Sequence, residues 1–340
     1  MKIISCFMEP LLDIAKENQR QYFELLDLLS EENEVFFMFL EKEQEEYFEH
    51  IKNRNNKFNI VKWNDNKKYD ILFIFGGTFN DKEKIKNSVL GNDGFDKYFY
   101  LNKFIERNSN VKIYNYLYDP KCTKLTDVDI INKSLNGREI LYLNAYYDRI
   151  KNHKALSIFE YFCFKDYNVN FNIKKYDFVF GYTASIETDR KYLSDFISNN
   201  VYENDKVLIF AKDKFVKRNN LIKQKEYFDK IKMSKFSLVA PSNDKDSFSF
   251  SRMLECISNG CIPLILEGCN IEIIKDNYID LYEYIKNNLI VNLDENVNKK
   301  INLINYDKTI KEILNLKSVK EFSNQELSKK KILKQFRELN

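Results

Sequence analysis

The chain has 340 residues, of which 44% are hydrophobic and 31% charged, a composition typical of globular proteins and sufficient for two hydrophobic cores. Its 54 basic and 51 acidic side chains leave a formal net charge of +3. This charge is too small to indicate nucleic-acid binding by itself.

The cysteines and histidines argue against several kinds of site. The six cysteines are dispersed without a CxxC pair, and the chain has only two histidines. A zinc site or a cysteine–histidine catalytic pair is therefore disfavoured, and reduced, buried thiols are expected. No apolar run is long enough to span a bilayer, and the N-terminus lacks the long apolar region of a signal peptide. We therefore expect a cytoplasmic protein.

Strands and helices alternate along the first half of the chain. Strands are predicted at Lys2–Phe7, Glu34–Leu40, Tyr69–Phe75, Val111–Tyr118 and Arg138–Asn144, and helices at Leu11–Leu29 and 153–165. The nearly continuous apolar run of Tyr69–Phe75 is typical of a parallel strand covered on both faces. The alternation predicts βαβ units.

Two adjacent glycines, Gly76 and Gly77, follow the third of these strands. They would let a ligand approach the backbone closely, but a tight strand-to-helix turn explains them equally well. The chain contains neither a GxGxxG fingerprint nor a P-loop, so Rossmann oxidoreductases and P-loop enzymes lose their main support.

Asp119 follows the strand Val111–Tyr118 directly and precedes Pro120. Ligands of open α/β sheets bind at the carboxyl ends of the strands, which is where a catalytic carboxylate would lie. A turn aspartate before proline is the simpler interpretation of the same residues.

The pattern restarts after the polar stretch Asn168–Lys175, where we place a domain boundary. Further strands are predicted at Tyr176–Phe180, Lys206–Ala211, Phe236–Ala240, Cys261–Leu266 and Leu289–Val291, and helices at Ile186–Asn199, Tyr278–Asn287, Lys308–Leu316 and Val319–Glu338. This second series indicates a second α/β domain.

Small residues separate the first strand of this series from its helix: Gly181, Thr183 and Ser185. Small residues at the start of a helix suit the close approach of a diphosphate, and Arg190 lies one turn along. An ordinary helix start with a surface arginine explains the segment equally well.

The stretch 247–266 predicts a helix followed by a buried strand. Its apolar residues recur at helical spacing on one side, at Phe250, Met253, Leu254 and Ile257. Ser247 or Ser249 can cap the start of the helix, and Gly260 is a suitable C′ residue. Pro263 falls near the beginning of the strand, where a missing N–H is tolerated.

Arg252 and Glu255 fall together on the opposite face of this helix, one turn apart. Near a helix N-terminus, Arg252 could pair with a phosphate while Glu255 accepts two hydroxyls of a ribose. A solvated ion pair on an ordinary amphipathic helix is the simpler interpretation.

Segment 234–266 resembles the donor-site segment of GT-B glycosyltransferases. The exostosin-type version carries Arg, Glu, Gly-Cys and Pro at places that match Arg252, Glu255, Gly260-Cys261 and Pro263. Three segments in order also resemble phage DNA β-glucosyltransferases: Tyr114–Asp119, Tyr176–Arg190 and Ser247–Glu255. One phosphate-binding arginine of those enzymes has no counterpart here, because Glu187 and Thr188 occupy its neighbourhood.

The resemblance implies an α/β fold of GT-B type, with two facing Rossmann-like domains, parallel sheets and a C-terminal helix that crosses back. Residues 1–168 would form the acceptor-side domain and residues 169–305 the nucleotide-sugar-binding domain. Residues 306–340 would be helices that pack back on the N-terminal domain.

The resemblance also implies roles for single residues. Asp119 would be the catalytic base, Arg190 and Arg252 would bind the donor diphosphate, and Glu255 would hold the ribose. The remaining donor-site residues would be Gly181, Thr183, Ser185 and Ser249. A UDP-sugar is the first expectation for the donor substrate, with no tightly bound cofactor and no requirement for a divalent metal.

The acceptor is expected to be a hydroxymethylated base in double-stranded, phage-type DNA. An exostosin-like transferase that builds a surface glycan or capsule is an alternative, and a non-catalytic nucleotide-sugar-binding module is another. The sequence gives no indication of the oligomeric state.

Overall fold

The structure is a computed structural model that describes residues 1–7, 17–39, 51–53, 55–75, 97–116, 140–143, 155–156, 159–165, 167, 169–185, 190–241 and 248–339. The chain divides into two compact units. The first comprises Met1–Ile158 and Lys331–Asn340, and the second comprises Phe159–Lys330. No helix in the described ranges is both long and apolar enough to cross a membrane.

The first unit contains a parallel sheet of seven described strands. They are β1 (Lys2–Phe7), β2 (Glu34–Phe39), β3 (Asn59–Lys62), β4 (Ile71–Phe75), β5 (Lys112–Tyr116), β6 (Ile140–Leu143) and β7 (Ala155–Leu156). Their order is β3-β2-β1-β4-β5-β6-β7, and every pairing between them is parallel. The chain therefore winds first to one side of β1 and then to the other, as in doubly wound folds.

Two described helices accompany this sheet: α1 (Glu17–Leu29) and α2 (Lys97–Arg107). The hydroxyl of Tyr22 in α1 lies 2.6 Å from the hydroxyl of Ser5 in β1, and both groups are buried. The ring of Phe23 stacks on Phe37 at 5.8 Å. On the opposite face, Ile4 and Phe36 belong to one buried cluster with Phe104 of α2. Because both faces of β1 and β2 are buried, the strands need the apolar runs seen in the sequence.

The second unit contains a sheet of six described strands. They are β8 (Tyr176–Ala184), β9 (Val207–Asp213), β10 (Arg218–Asn219), β11 (Ser234–Val239), β12 (Ile262–Leu266) and β13 (Ile290–Val291). Their order is β10-β9-β8-β11-β12-β13. All pairings are parallel except that of β10 with β9. The α/β fold with two parallel-sheet domains is thereby confirmed.

The described helices of the second unit precede, alternate with and follow its strands in sequence. They are α3 (Phe159–Phe164), α4 (Lys191–Asn200), α5 (Gln224–Lys232), α6 (Phe250–Ser258), α7 (Ile279–Asn288), α8 (Val297–Leu303), α9 (Tyr306–Asn315) and α10 (Lys317–Ser323). The last helix, α11 (Gln325–Leu339), begins in the second unit and ends in the first.

The observed elements differ from the predicted ones in several places. The helix predicted at 153–165 is instead the short strand β7 followed by α3, because Ala155 and Leu156 pair with β6. Strand β3 was not predicted. Two of its four side chains are half-buried and the other two are exposed, so the strand lacks a buried apolar pattern. Strand β8 continues past Phe180 to Ala184, because its end pairs with β9 as far as Asp213.

The division between the units falls at Ile158, earlier than the boundary expected at residue 168. Helix α3 belongs to the second unit, where Phe164 is part of the hydrophobic core. Residues 306–330 also lie in the second unit, and Lys331–Asn340 lie in the first.

Candidate functional site

The carboxyl edge of the second sheet brings most of the described candidate residues together. The parallel strands β8, β11 and β12 all end at this edge. Because α6 follows β11 along the chain, the first turn of α6 starts there. Ligands of open α/β sheets bind at such an edge.

The local sequence sets both ends of α6. Ser249 occupies the N-cap, as predicted, but its side chain makes no capping hydrogen bond. At the other end, the amide of Cys261 donates to the carbonyl of Cys256 and that of Gly260 to the carbonyl of Ile257, both at 2.9 Å. These two bonds form a Schellman motif, and Gly260 has a φ of +64°. The predicted C′ role of Gly260 is confirmed.

Pro263 is tolerated in β12 because its nitrogen faces no partner strand. The amide of Ile265 donates to the carbonyl of Leu289, the residue before β13, and the amide of Glu267 donates to the carbonyl of Val291 in β13. Every second amide of a strand points to the same side. An amide at residue 263 would therefore point to the same side as those of Ile265 and Glu267, but at a level that β13 does not reach. The missing N–H therefore leaves no ladder bond unmade.

Arg252 and Glu255 form a largely buried ion pair. Nη1 of Arg252 lies 3.3 Å from Oε2 of Glu255, and the side chains are 30% and 9% exposed. The interpretation of a solvated ion pair is therefore wrong. The pair is buried because α5 covers the face of α6 that carries Arg252 and Glu255, which the helical spacing had assigned to solvent.

Two aromatic residues in the first turns of α5 lie under the Arg252 guanidinium. Its central carbon is 5.0 Å from the centre of the Tyr227 ring and 5.7 Å from that of Phe228. These distances are within the range of cation–π attraction. Arg252 is thus held from one side by rings and from another by the Glu255 carboxylate.

Tyr227 also contacts strand β8. Its hydroxyl accepts a hydrogen bond from the amide of Gly181 at 3.1 Å. A Cβ at position 181 would lie 2.9 Å from Cε2 of Tyr227, closer than real Cβ contacts allow. Gly181 is therefore needed for the close approach of Tyr227, and it lies within β8 rather than in a turn that starts a helix.

Burial governs the protonation of this cluster. It raises the pKa of Glu255 above 4.5, while the neighbouring Arg252 charge opposes the shift. Burial also raises the pKa of Tyr227 to about 12, again against the effect of Arg252. Tyr227 is therefore a neutral phenol at neutral pH, and Arg252 faces an uncharged ring.

Arg190 lies at the same edge of the sheet. It is the N-cap residue of α4 rather than a residue one turn inside a helix. Its Nη1 donates to the carbonyl of Thr183 at 3.4 Å and its Nη2 to that of Pro241 at 3.5 Å. Arg190 thus links the end of β8 to the segment after β11. Ser185, just beyond β8, is buried.

Asp213 and Tyr227 are residues of this edge that the sequence analysis missed. Asp213 ends β9 and accepts hydrogen bonds from the Tyr182 hydroxyl at 2.6 Å and from the amide of Phe215 at 2.9 Å. Burial disfavours its charged form, but the hydrogen bonds outweigh burial and lower its pKa. The sequence could have indicated Tyr227 through its spacing of four residues from the apolar Ile231, because this spacing predicts a half-buried helix.

The structure unites some candidate residues and leaves others outside the described ranges. Gly181, Arg252 and Glu255 are linked through Tyr227, and Thr183 is linked to Arg190. Asp119, Ser247 and the Gly76–Gly77 pair lie outside the described residues. Within the described residues, no three His, Cys, Asp or Glu side chains cluster so as to hold a metal ion.

Comparisons with known proteins find similarity in structure but not in sequence. No protein-family model and no curated sequence matches the chain. It is similar to α,α-trehalose-6-phosphate synthase from Burkholderia multivorans, with 8% identity, a TM-score of 0.49 and coverage of 100% of this chain and 98% of that one. It is also similar to WaaG, a glycosyltransferase involved in lipopolysaccharide biosynthesis, with 11% identity, a TM-score of 0.40 and 98% coverage of both chains.

A glycosyltransferase from Rickettsia africae ESF-5 is a third similar structure, with 12% identity, a TM-score of 0.40 and 98% coverage of both chains. At these identities and TM-scores, the similarities do not by themselves assign a function to the chain.

Proposed function

We propose that the protein is a glycosyltransferase of GT-B type that uses a nucleotide-sugar donor. The observation that carries the proposal is the fixed Arg252–Glu255 pair in the first two turns of α6, at the carboxyl edge of the second sheet. A helix N-terminus attracts phosphate, and a guanidinium can bind it through two parallel hydrogen bonds.

Glu255 supplies the second half of the donor site in this proposal. A carboxylate has about four acceptor positions, so contact with Arg252 leaves capacity for two ribose hydroxyls. A buried carboxylate is costly unless it is paired and hydrogen-bonded. A ribose diol would supply the hydrogen bonds, while Arg252 supplies the charge.

Arg190 completes the donor site at the neighbouring strand ends. It lies beside Thr183, whose carbonyl it contacts, and two arginines suit the two phosphates of a nucleoside diphosphate. In glycosyl transfer the diphosphate leaves with a developing negative charge, which fixed cations stabilise. Ser185 and Ser249 are further donor-site residues in the proposal, and no divalent metal is assigned a role.

Asp119 is proposed as the base that takes the proton of the acceptor hydroxyl. A hydroxymethylated base in double-stranded DNA is the proposed acceptor, and a UDP-sugar is the proposed donor. Both rest on the sequence resemblance of Tyr114–Asp119, Tyr176–Arg190 and Ser247–Glu255 to phage DNA β-glucosyltransferases.

Ligand binding to the folded chain tests the donor site. Melting temperatures are measured with UDP, GDP, ADP and dTDP and with their sugar conjugates, each with and without EDTA. A ligand that binds only the folded state raises the melting temperature by mass action. We expect a shift with a uridine nucleotide that EDTA does not abolish, and no shift with any nucleotide would overturn the proposal.

Substitution locates the binding. Exchanging Arg252 for Ala should weaken UDP binding by ~1.5–3 kcal/mol, the range for a hydrogen bond to a charged group. Lys275→Ala is the matched control, because it removes an exposed ion pair of the same i,i+3 spacing, with Glu272. Equal affinities of the two variants would remove Arg252 from the donor site.

Transfer assays then separate an enzyme from a binding module. Radiolabelled sugar transfer to hydroxymethylated duplex DNA is compared for the wild-type protein and Asp119→Asn. We expect turnover to collapse in the variant while UDP binding survives. Binding without transfer to DNA or to glycan acceptors would favour the non-catalytic module.

A further inference from the structure

We infer that Tyr227 and Phe228 form an aromatic platform that positions the Arg252 guanidinium for the donor diphosphate. The inference rests on the proposed function, since it assigns residues that act through Arg252. Neither aromatic residue belongs to the segments that resemble glycosyltransferases, and both come from a different helix, α5.

The geometry restrains the guanidinium on two sides. The rings of Tyr227 and Phe228 lie 5.0 and 5.7 Å from its central carbon. Oε2 of Glu255 lies 3.3 Å from Nη1. A planar group held by rings and by a carboxylate keeps few of its rotamers, and the N–H groups that are not turned to Glu255 keep a fixed direction.

Tyr227 is itself fixed to the sheet. Its hydroxyl accepts from the amide of Gly181, and the absence of a Cβ at Gly181 lets the ring lie against β8. The ring is buried with Val179, Ile231, Cys256 and Cys261. The platform therefore fixes Arg252, in the first turn of α6, relative to strand β8.

Preorganisation is the physical benefit of this arrangement. A free arginine side chain loses rotamer entropy when it is immobilised on a ligand. Here folding immobilises the side chain before any ligand arrives, so diphosphate binding meets a smaller entropic cost. The platform should act on phosphate recognition and leave nucleoside recognition unchanged.

The test compares a ligand that has phosphates with one that has none. Dissociation constants for UDP and uridine, or for the corresponding pair if another nucleotide binds, are measured by calorimetry and by competition. Tyr227→Met keeps an unbranched apolar side chain but removes the ring. We expect about a tenfold loss of UDP affinity, as for a partly desolvated cation–π contact, with uridine affinity unchanged.

Tyr227→Phe is the conservative variant. It keeps the ring and loses the bond to Gly181, so we expect UDP affinity within about threefold of wild type, as for one neutral hydrogen bond. A purely structural role for Tyr227 would lower the affinities for UDP and uridine together. That outcome, or unchanged UDP affinity in Tyr227→Met, would overturn the inference.

Phe228→Leu keeps the test decisive if Tyr227→Met does not fold. It removes the more distant ring of the platform, and we expect a smaller but selective loss of UDP affinity. An equal loss for uridine, or no loss for either ligand, would contradict the platform. If wild-type protein binds no nucleotide, the proposed function fails as well; if it binds UDP and the variants bind it equally, only the platform fails.

Discussion

Arg252 and Glu255 illustrate how burial changes the energetics of a single pair of residues. An exposed ion pair at i,i+3 spacing contributes little to stability, because water screens it. When the carboxylate is buried, the pair offsets a desolvation cost, and removal of one partner leaves an uncompensated charge. The Glu255 side chain is 9% exposed, so the second description applies.

The stability of Arg252→Ala should therefore depend on pH. Without the Arg252 charge, which opposes the effect of burial, the pKa of Glu255 rises further above its ordinary value. A carboxyl group whose pKa is raised in the folded state stabilises the fold at pH values below its pKa in the unfolded chain. This contribution is lost as the pH rises through its pKa in the folded state. We expect a destabilisation of about 3 kcal/mol near neutral pH that becomes smaller as the pH falls toward the ordinary range of carboxyl pKa values.

Urea unfolding of Arg252→Ala and wild type at several pH values measures this difference. Arg252→Ala/Glu255→Gln removes the ionisable group, so the difference in stability between this variant and Arg252→Ala should change with pH in this window. A pH-independent destabilisation of the single variant would show that Glu255 is not the group that titrates.

Helix α6 shows how a short element is fixed at its end. Gly260 has a φ of +64°, and a Cβ there would lie 2.4 Å from Cγ1 of Val169. The ammonium group of Lys174 also donates to the carbonyl of Asn259 at 2.9 Å and to that of Lys232 at 2.8 Å, at the ends of α6 and α5. The C-terminal end of α6 is therefore closed by backbone and side-chain donors together.

Gly260→Ala should destabilise the protein through two separable effects. The left-handed backbone costs a non-glycine residue about 1 kcal/mol or more, and the contact with Val169 adds to it. Val169→Ala/Gly260→Ala removes the contact and leaves the backbone effect. We expect Gly260→Ala to melt at a lower temperature than wild type. The double variant should also melt below Val169→Ala, but by a smaller difference. Equal melting temperatures of the double variant and Val169→Ala would contradict the backbone effect.

At the scale of the whole molecule, each unit has its own parallel sheet, and α11 contributes to both units. Its C-terminal part belongs to the first unit. There the Phe336 ring lies 6.3 Å from that of Phe73 in β4 and 6.2 Å from that of Tyr114 in β5. The end of the chain thus supplies core residues to a sheet that begins at Lys2.

Phe336→Ala should therefore destabilise the first unit selectively. Phe336 is 1% exposed, and truncation of a buried phenylalanine costs about 3–5 kcal/mol. Hydrogen exchange measured by mass spectrometry should show lost protection in β4 and β5 and unchanged protection in β8 and β11. Leu327→Ala is the control on the same helix, because Leu327 is 47% exposed; equal loss of protection in both sheets would contradict the selective effect.

The sequence by itself determined the elements whose pattern is local. Alternating apolar runs predicted most strands of both sheets, helical spacing predicted α6, and Gly260 marked its end. The same periodicity also placed Arg252 and Glu255 on one face. These features depend on neighbouring residues, whose backbone preferences and spacing are legible in one dimension.

Only the tertiary structure decided what surrounds those residues. The burial of Arg252 and Glu255 depends on α5, whose Tyr227 lies 25 positions before Arg252 in the chain. The continuation of β8 through Gly181, the strand β7 and the core position of Phe336 depend on pairing with distant segments. The physical reason is that burial is set by contacts between segments far apart in sequence, which no local pattern specifies.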